Sequence, residues 1–233
     1  MEGPTLDIKK IIETIQLLSI RIGERFPNSG LFHVSKNLLK TAKETDNTIL
    51  WIIKPKYSYR IGIGFFISVV IVGLVYTIFQ LEVESNIFIL STFIALSESA
   101  LNDIVLLGAA MFFLVSIEVR AKRRKVISAI NRLRCISHII DSHQLTKDPD
   151  ALVKNAIPTK HSPKRTMTSY ELGRYLDYCT ELLSLVSKVG FLYVQNFDDP
   201  DSVEAVNDLE NLTTGLSRKI WQKIMILRRG ADM

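Results

Sequence analysis

The chain has 233 residues, 47% of them hydrophobic and 23% charged, with a formal net charge of +5. That charge sums unlike parts: none of the 29 Lys and Arg residues lies between Arg60 and Arg120, a stretch that carries five acids. A uniformly basic surface is therefore excluded. So is a disulfide scaffold, because the two cysteines, Cys135 and Cys179, stand in no CxxC or Cys/His cluster and are expected to be small apolar residues on helix faces.

The opening MEGPTLDIKK has no cleavable apolar run behind it, so an uncleaved internal signal is expected instead. From Asp7 to Arg25, Ile8, Ile11, Ile12, Ile15, Leu18 and Ile22 recur at helical spacing. Phe26-Pro27-Asn28-Ser29-Gly30 breaks that helix, and a second pattern runs from Leu31 to about Trp51, stopped by Pro55. Trp51, followed by Lys54 and Lys56, reads either as an interfacial anchor or as a packed core residue.

Ile61 to Leu81 follows without a charged residue, and as a helix it is long enough for the roughly 30 Å hydrocarbon layer. Leu101 to Val119 is a second apolar stretch, with Asp103 and Glu118 near its ends. Gly64 and Ser68 on the first, and Gly108 with Ala109 on the second, are small residues that permit close approach between membrane helices. The loop between them holds Glu82, Glu84, Glu98 and Asp103 and no base. Its apolar run Ile87 to Leu96 is too short to cross, and is expected to lie along the interface, re-enter, or extend the second helix. Lys54, Lys56 and Arg60 precede the first stretch; Arg120, Lys122, Arg123, Arg124 and Lys125 follow the second. Basic clusters outside both ends predict a hairpin with both termini in the cytoplasm and its flanking cations near anionic lipid headgroups. No groove-reading motif points to sequence-specific nucleic-acid binding.

Beyond the second stretch Val126, Ile130, Leu133, Cys135, Ile136, Ile139 and Ile140 continue a helical apolar face to Asp148-Pro149. His138, Asp141 and His143 fall near its end; a metal site would need the helix to unwind and a further ligand such as His161, so hydrogen bonding among helix-end residues is favoured. The segment HQLTKDP is better read as a conformational joint or a partner contact. Residues 149–167 contain three prolines and read as a linker. Thr168 with Glu171 fits a capping box opening a helix to about Asn196, and Asp201 to Glu204 resembles a second. The final helix runs to about Arg229; Gly215 inside it is expected to mark close packing by default, with a kink or a ligand contact as alternatives, and the last two helices are expected to pair antiparallel. Trp221, beside Arg218, Lys219 and Lys223, reads as a headgroup or partner contact or, more plainly, as the edge of an amphipathic helix.

The expected fold is an all-α membrane protein: N-terminal cytoplasmic helices (1–59), a two-span transmembrane hairpin (60–119), a helix continuing into cytoplasm (120–148), a linker (149–167) and a C-terminal helical hairpin (168–233). No nucleotide-binding loop, nucleophile elbow or H-E-x-x-H motif is present, so no enzyme and no cofactor are expected. This layout, with HQLTKDP (143–149) and TTGLSRKIWQKI (213–224), resembles the two-transmembrane effectors of bacterial antiphage systems, particularly those encoded beside retron reverse transcriptases. The resemblance implies an inner-membrane, membrane-disrupting effector causing abortive infection, held inactive until infection is sensed. One hairpin cannot enclose an aqueous path, so such an effector is expected to be a homo-oligomer restrained by a cytoplasmic protein or ribonucleoprotein partner. Two alternatives stand beside it: an inert anchor that docks a partner, and a small ion-channel subunit.

Overall fold

A computed structural model describes residues 4–55, 57–80, 90–149, 160–162 and 166–231. Six helices are present among them: α1 (Ile8–Arg25), α2 (Gly30–Ile53), α3 (Tyr57–Gln80), α4 (Leu90–Leu145), α5 (Ser169–Phe191) and α6 (Pro200–Ala231). No strand occurs among the described residues. The chain divides into two compact units, residues 54–122 and the remainder, and α4 contributes to both.

The larger unit is a helical bundle. Asp7 caps α1 by accepting the amide of Lys9 at 2.8 Å, and the stripe Ile11, Ile15, Leu18 and Ile22 is buried as its spacing predicts. The chain reverses through Asn28, whose φ of 60° suits an asparagine better than a branched residue. The Ser29 hydroxyl then accepts the amide of Phe32 and starts α2. Buried hydroxyls join helices: Ser19 to Ser35 at 2.9 Å, and Thr45 to the Tyr193 phenol at 2.8 Å. Paired this way, they escape the cost of a buried polar group without a partner.

α5 opens with the expected box, the Glu171 amide donating to Thr168 Oγ1 and the Thr168 amide to Glu171 Oε2. The start of α6 differs from the sequence expectation. Asp199, not Asp201, is the cap: its Oδ2 accepts the Ser202 amide at 3.0 Å and the Ser202 hydroxyl at 2.8 Å. Pro200 follows as the first helical residue, where its missing N–H costs nothing. α4, α5 and α6 meet at Gly190, where an added Cβ would stand 2.6 Å from Leu209 Cδ2. Gly215 is the reverse case: a Cβ there meets nothing within 4 Å among the described residues, so close packing does not explain it. Trp51 packs against the bundle core, with the Lys125 ammonium 4.2 Å from its ring centroid.

The smaller unit has an opposite character. Along α3, Ile61, Phe65 and Val72 are exposed, and in α4 so are Ile104, Val105, Leu106 and Phe112, the last at 75%. Each such side chain forgoes about 1.5–3 kcal/mol relative to burial while it faces water, so this surface calls for an apolar surrounding. Among the described residues one helix is long and apolar enough to cross a membrane, Ile104–Leu145 within α4; the apolar part of α3, Ile61–Gly73, is shorter. Residues 81–89 lie outside the described residues, and with them the first part of the apolar run 87–96. From Leu90 onward the chain is already helical and continuous with α4.

Candidate functional site

The C-terminal part of α4 is tied to α6 by a row of polar contacts whose order sets the packing. Arg123 meets Asp199, Arg134 meets Asp208, Asp141 meets Lys219, and the carbonyls of Gln144 and Lys147 meet Lys223. Residue numbers rise together along both helices, so α4 and α6 run parallel. Between the ties lie the buried Val126, Ile130, Leu133 and Ile140 of α4 and Val206, Leu209, Ile220 and Ile224 of α6.

The first tie is the most elaborate. Arg123 Nε donates to both carboxylate oxygens of Asp199 at 2.9 and 3.0 Å, Nη2 adds a 2.6 Å contact, and Nη1 pairs with Asp201. This is the planar bidentate match that guanidinium makes with carboxylate and ammonium does not. The Asp199 side chain is only 2% exposed. Burial alone would raise its pKa, but Arg123 and the two bonds from Ser202 more than offset that and hold it below the usual carboxylate value. Arg134–Asp208 at 2.8 Å and Lys219–Asp141 at 3.3 Å are more exposed ties, each worth roughly 0–1 kcal/mol.

The last tie closes the C-terminus of α4. Lys223 Nζ donates to the carbonyl of Gln144 at 2.9 Å, which also accepts the Lys147 amide at 3.0 Å, and to the carbonyl of Lys147 at 3.2 Å just beyond the helix end, where a cation is favoured. Burial and the neighbouring Lys219 nevertheless keep this ammonium below the usual lysine pKa. Gln144 is fully buried; its Nε2 donates to Asp141, and its Oε1 is a buried acceptor with no partner among the described residues. The His143 imidazole lies against the Cα of Gly30 at the start of α2, where a Cβ would fall 2.6 Å from Nε2. HQLTKDP is thus the place where α2, α4 and α6 are joined.

Several of the sequence-predicted residues are engaged in ways the sequence did not reveal. Asp141 is taken by Lys219 and Gln144, His143 packs on Gly30, and His138 and His161 are exposed. No group of three His, Cys, Asp or Glu among the described residues could hold a metal ion. Of the basic cluster, Lys122 pairs with Glu118 at 2.8 Å, Arg120 lies 4.7 Å from the Phe113 ring, and Lys125 covers Trp51. The Arg123 guanidinium is engaged by Asp199 and Asp201. Arg124 and Lys54 are exposed; Lys56 and the Arg60 side chain lie outside the described residues. Cβ atoms built at Gly64 and Gly108 meet nothing within 4 Å among the described residues; Ser68 and Ala109 are exposed, and the Ser68 hydroxyl donates to its own helix at Gly64. Sequence reading missed Asp199 and the parallel seam; the Asp198-Asp199-Pro200-Asp201 run before a helix was the available signal.

Comparison with known proteins finds no matching protein family, no matching characterised protein and no matching solved structure.

Proposed function

We propose that this protein is a non-enzymatic effector embedded in a bacterial inner membrane, which breaches that membrane when released from restraint and so aborts viral infection. In this reading α3 and α4 both cross the bilayer, with both termini in the cytoplasm. Several copies assemble through the small-residue positions Gly64, Ser68, Gly108 and Ala109, because a single hairpin encloses no path. The helical bundle is the restraint, and a cytoplasmic partner sets its state.

One observation supports this reading above the others. The helix that carries the exposed apolar stretch is the same helix that α6 ties at Arg123, Arg134, Asp141 and its C-terminal carbonyls. An inert anchor needs only to hold its cargo. A row of ties along the membrane-bearing helix itself gives the bundle a grip on it, and the ends of that row are charge-assisted bonds.

The test is sudden expression in bacteria, with membrane potential and dye entry followed in time. The reading expects depolarisation, altered in either direction by deleting residues 168–233 and weakened by Gly108→Leu. An intact potential in every combination, including during phage infection, would refute it and leave the docking anchor.

A further inference from the structure

The outer side of the α5–α6 pair carries a groove of about 450 Å³ with an unusual lining. Six of its nine lining side chains are hydroxyls: Thr180, Ser184 and Ser187 from α5, and Thr213, Thr214 and Ser217 from α6. The other three are Lys188, Arg218 and Trp221, so the lining holds two cations, no carboxylate and no aliphatic residue. Two antiparallel helices joined by a short turn ordinarily fill their seam with aliphatic side chains.

Bonds within the protein account for only part of this polar surface. Thr180 and Thr213 donate back to their own helix at Asp177 and Glu210, Ser187 donates to Glu210 Oε1 at 3.3 Å, and Lys188 holds the Ser184 hydroxyl at 2.6 Å. Among the described residues no hydrogen bond is made by the side chains of Thr214, Ser217 or Arg218. α6 carries three cations in this region, and two of them, Lys219 and Lys223, serve the seam with α4 on its other side. Arg218 is left pointing its charge at the groove. The Trp221 indole at the groove's end is 52% exposed, with the Arg228 guanidinium 5.7 Å from its ring centroid.

We propose that this groove binds a nucleotide. A guanidinium and an ammonium with free hydroxyl donors suit a phosphate, hydroxyls suit a ribose, and an exposed indole offers a face for a base. The volume lies within the range of small-ligand sites. The inference stands whether or not α3 and α4 cross a membrane; joined to the proposed function, it would place a small-molecule input on the helix that grips α4.

The test uses the full chain in detergent carrying Trp51→Phe, which leaves Trp221 as the single indole. The probes are adenosine and guanosine 5′-monophosphates, adenosine and inorganic phosphate. Saturable quenching of Trp221 by a nucleotide, half-complete below about 1 mM, is expected, with adenosine ineffective and phosphate competing. Arg218→Ala should weaken binding about tenfold or more, the loss of one charge-assisted contact, and Lys188→Ala should weaken it as well. Both residues are exposed, so neither variant threatens the fold. Absence of saturable quenching, or quenching unchanged in both variants, would overturn the proposal. Phosphate acting as strongly as nucleotide would overturn it too, reducing the groove to an anion site. These results are separate from the depolarisation assay, so either idea can fail alone.

Discussion

Gly190 and Gly215 both stand in helices of the bundle, and replacing each by alanine should move stability in opposite directions. Intrinsic helix preference favours alanine by at most about 1 kcal/mol at either place. At Gly215 the new methyl meets nothing within 4 Å among the described residues, so that gain should appear nearly whole. At Gly190 it would stand 2.6 Å from Leu209 Cδ2, with Ile130 Cδ1 at 3.7 Å and Leu133 Cδ1 at 3.8 Å. Carbon atoms settle at about 3.5–4.0 Å, so Leu209 must retreat by roughly 1 Å. Leu209, Ile130 and Leu133 are all fully buried, so the displacement passes from α6 into α4. Overpacking of this kind costs about 1–3 kcal/mol, leaving Gly190→Ala destabilised by about 0–2 kcal/mol after the helix gain. The two variants should then differ by about 1–3 kcal/mol, or roughly 2–12 °C in unfolding temperature for a chain of this size. Near-UV circular dichroism of the detergent-solubilised full chain measures it. If Gly190→Ala unfolds at or above the temperature of Gly215→Ala, α4, α5 and α6 do not converge at Gly190 and the bundle described above is wrong.

Asp199 should give the bundle an acid-sensitive component. Its carboxyl is held below the ordinary value of 3.8, so the stabilisation is complete above that pH and is lost as pH falls through the depressed value. Asp199→Asn should remove that segment of the stability–pH curve below about pH 4, and an unchanged acid limb would count against the Arg123 tie. Gly30→Ala should destabilise by displacing the His143 ring, and His143→Ala should relieve it. A double-mutant cycle is expected to show coupling of about 0.5 kcal/mol or more, and simple additivity would deny the contact. Of the two thiols, Cys135 is exposed, whereas Cys179 is buried and its pKa is pushed up by that burial. One thiol should therefore react promptly with a maleimide and the second only on unfolding; two prompt thiols would place Cys179 at the surface.

The sequence by itself determined the helical class, most helix limits and the inward faces. Those features follow from short-range causes: the 3.6-residue recurrence of Ile11, Ile15, Leu18 and Ile22, the Thr168–Glu171 box, and the Phe26 to Gly30 break. The apolar character of residues 61–80 and 101–119 was equally plain, because composition alone carries it. The tertiary structure decided which polar residues are committed to one another. Arg123 and Asp199 are 76 positions apart, and no local pattern distinguishes an arginine that meets lipid headgroups from one that meets a distant helix cap. The same holds for Gly190 and Gly215, two helical glycines whose difference is the presence or absence of Leu209 beside them. Hydrophobic periodicity tells each helix which face to bury; only packing tells that face what it meets.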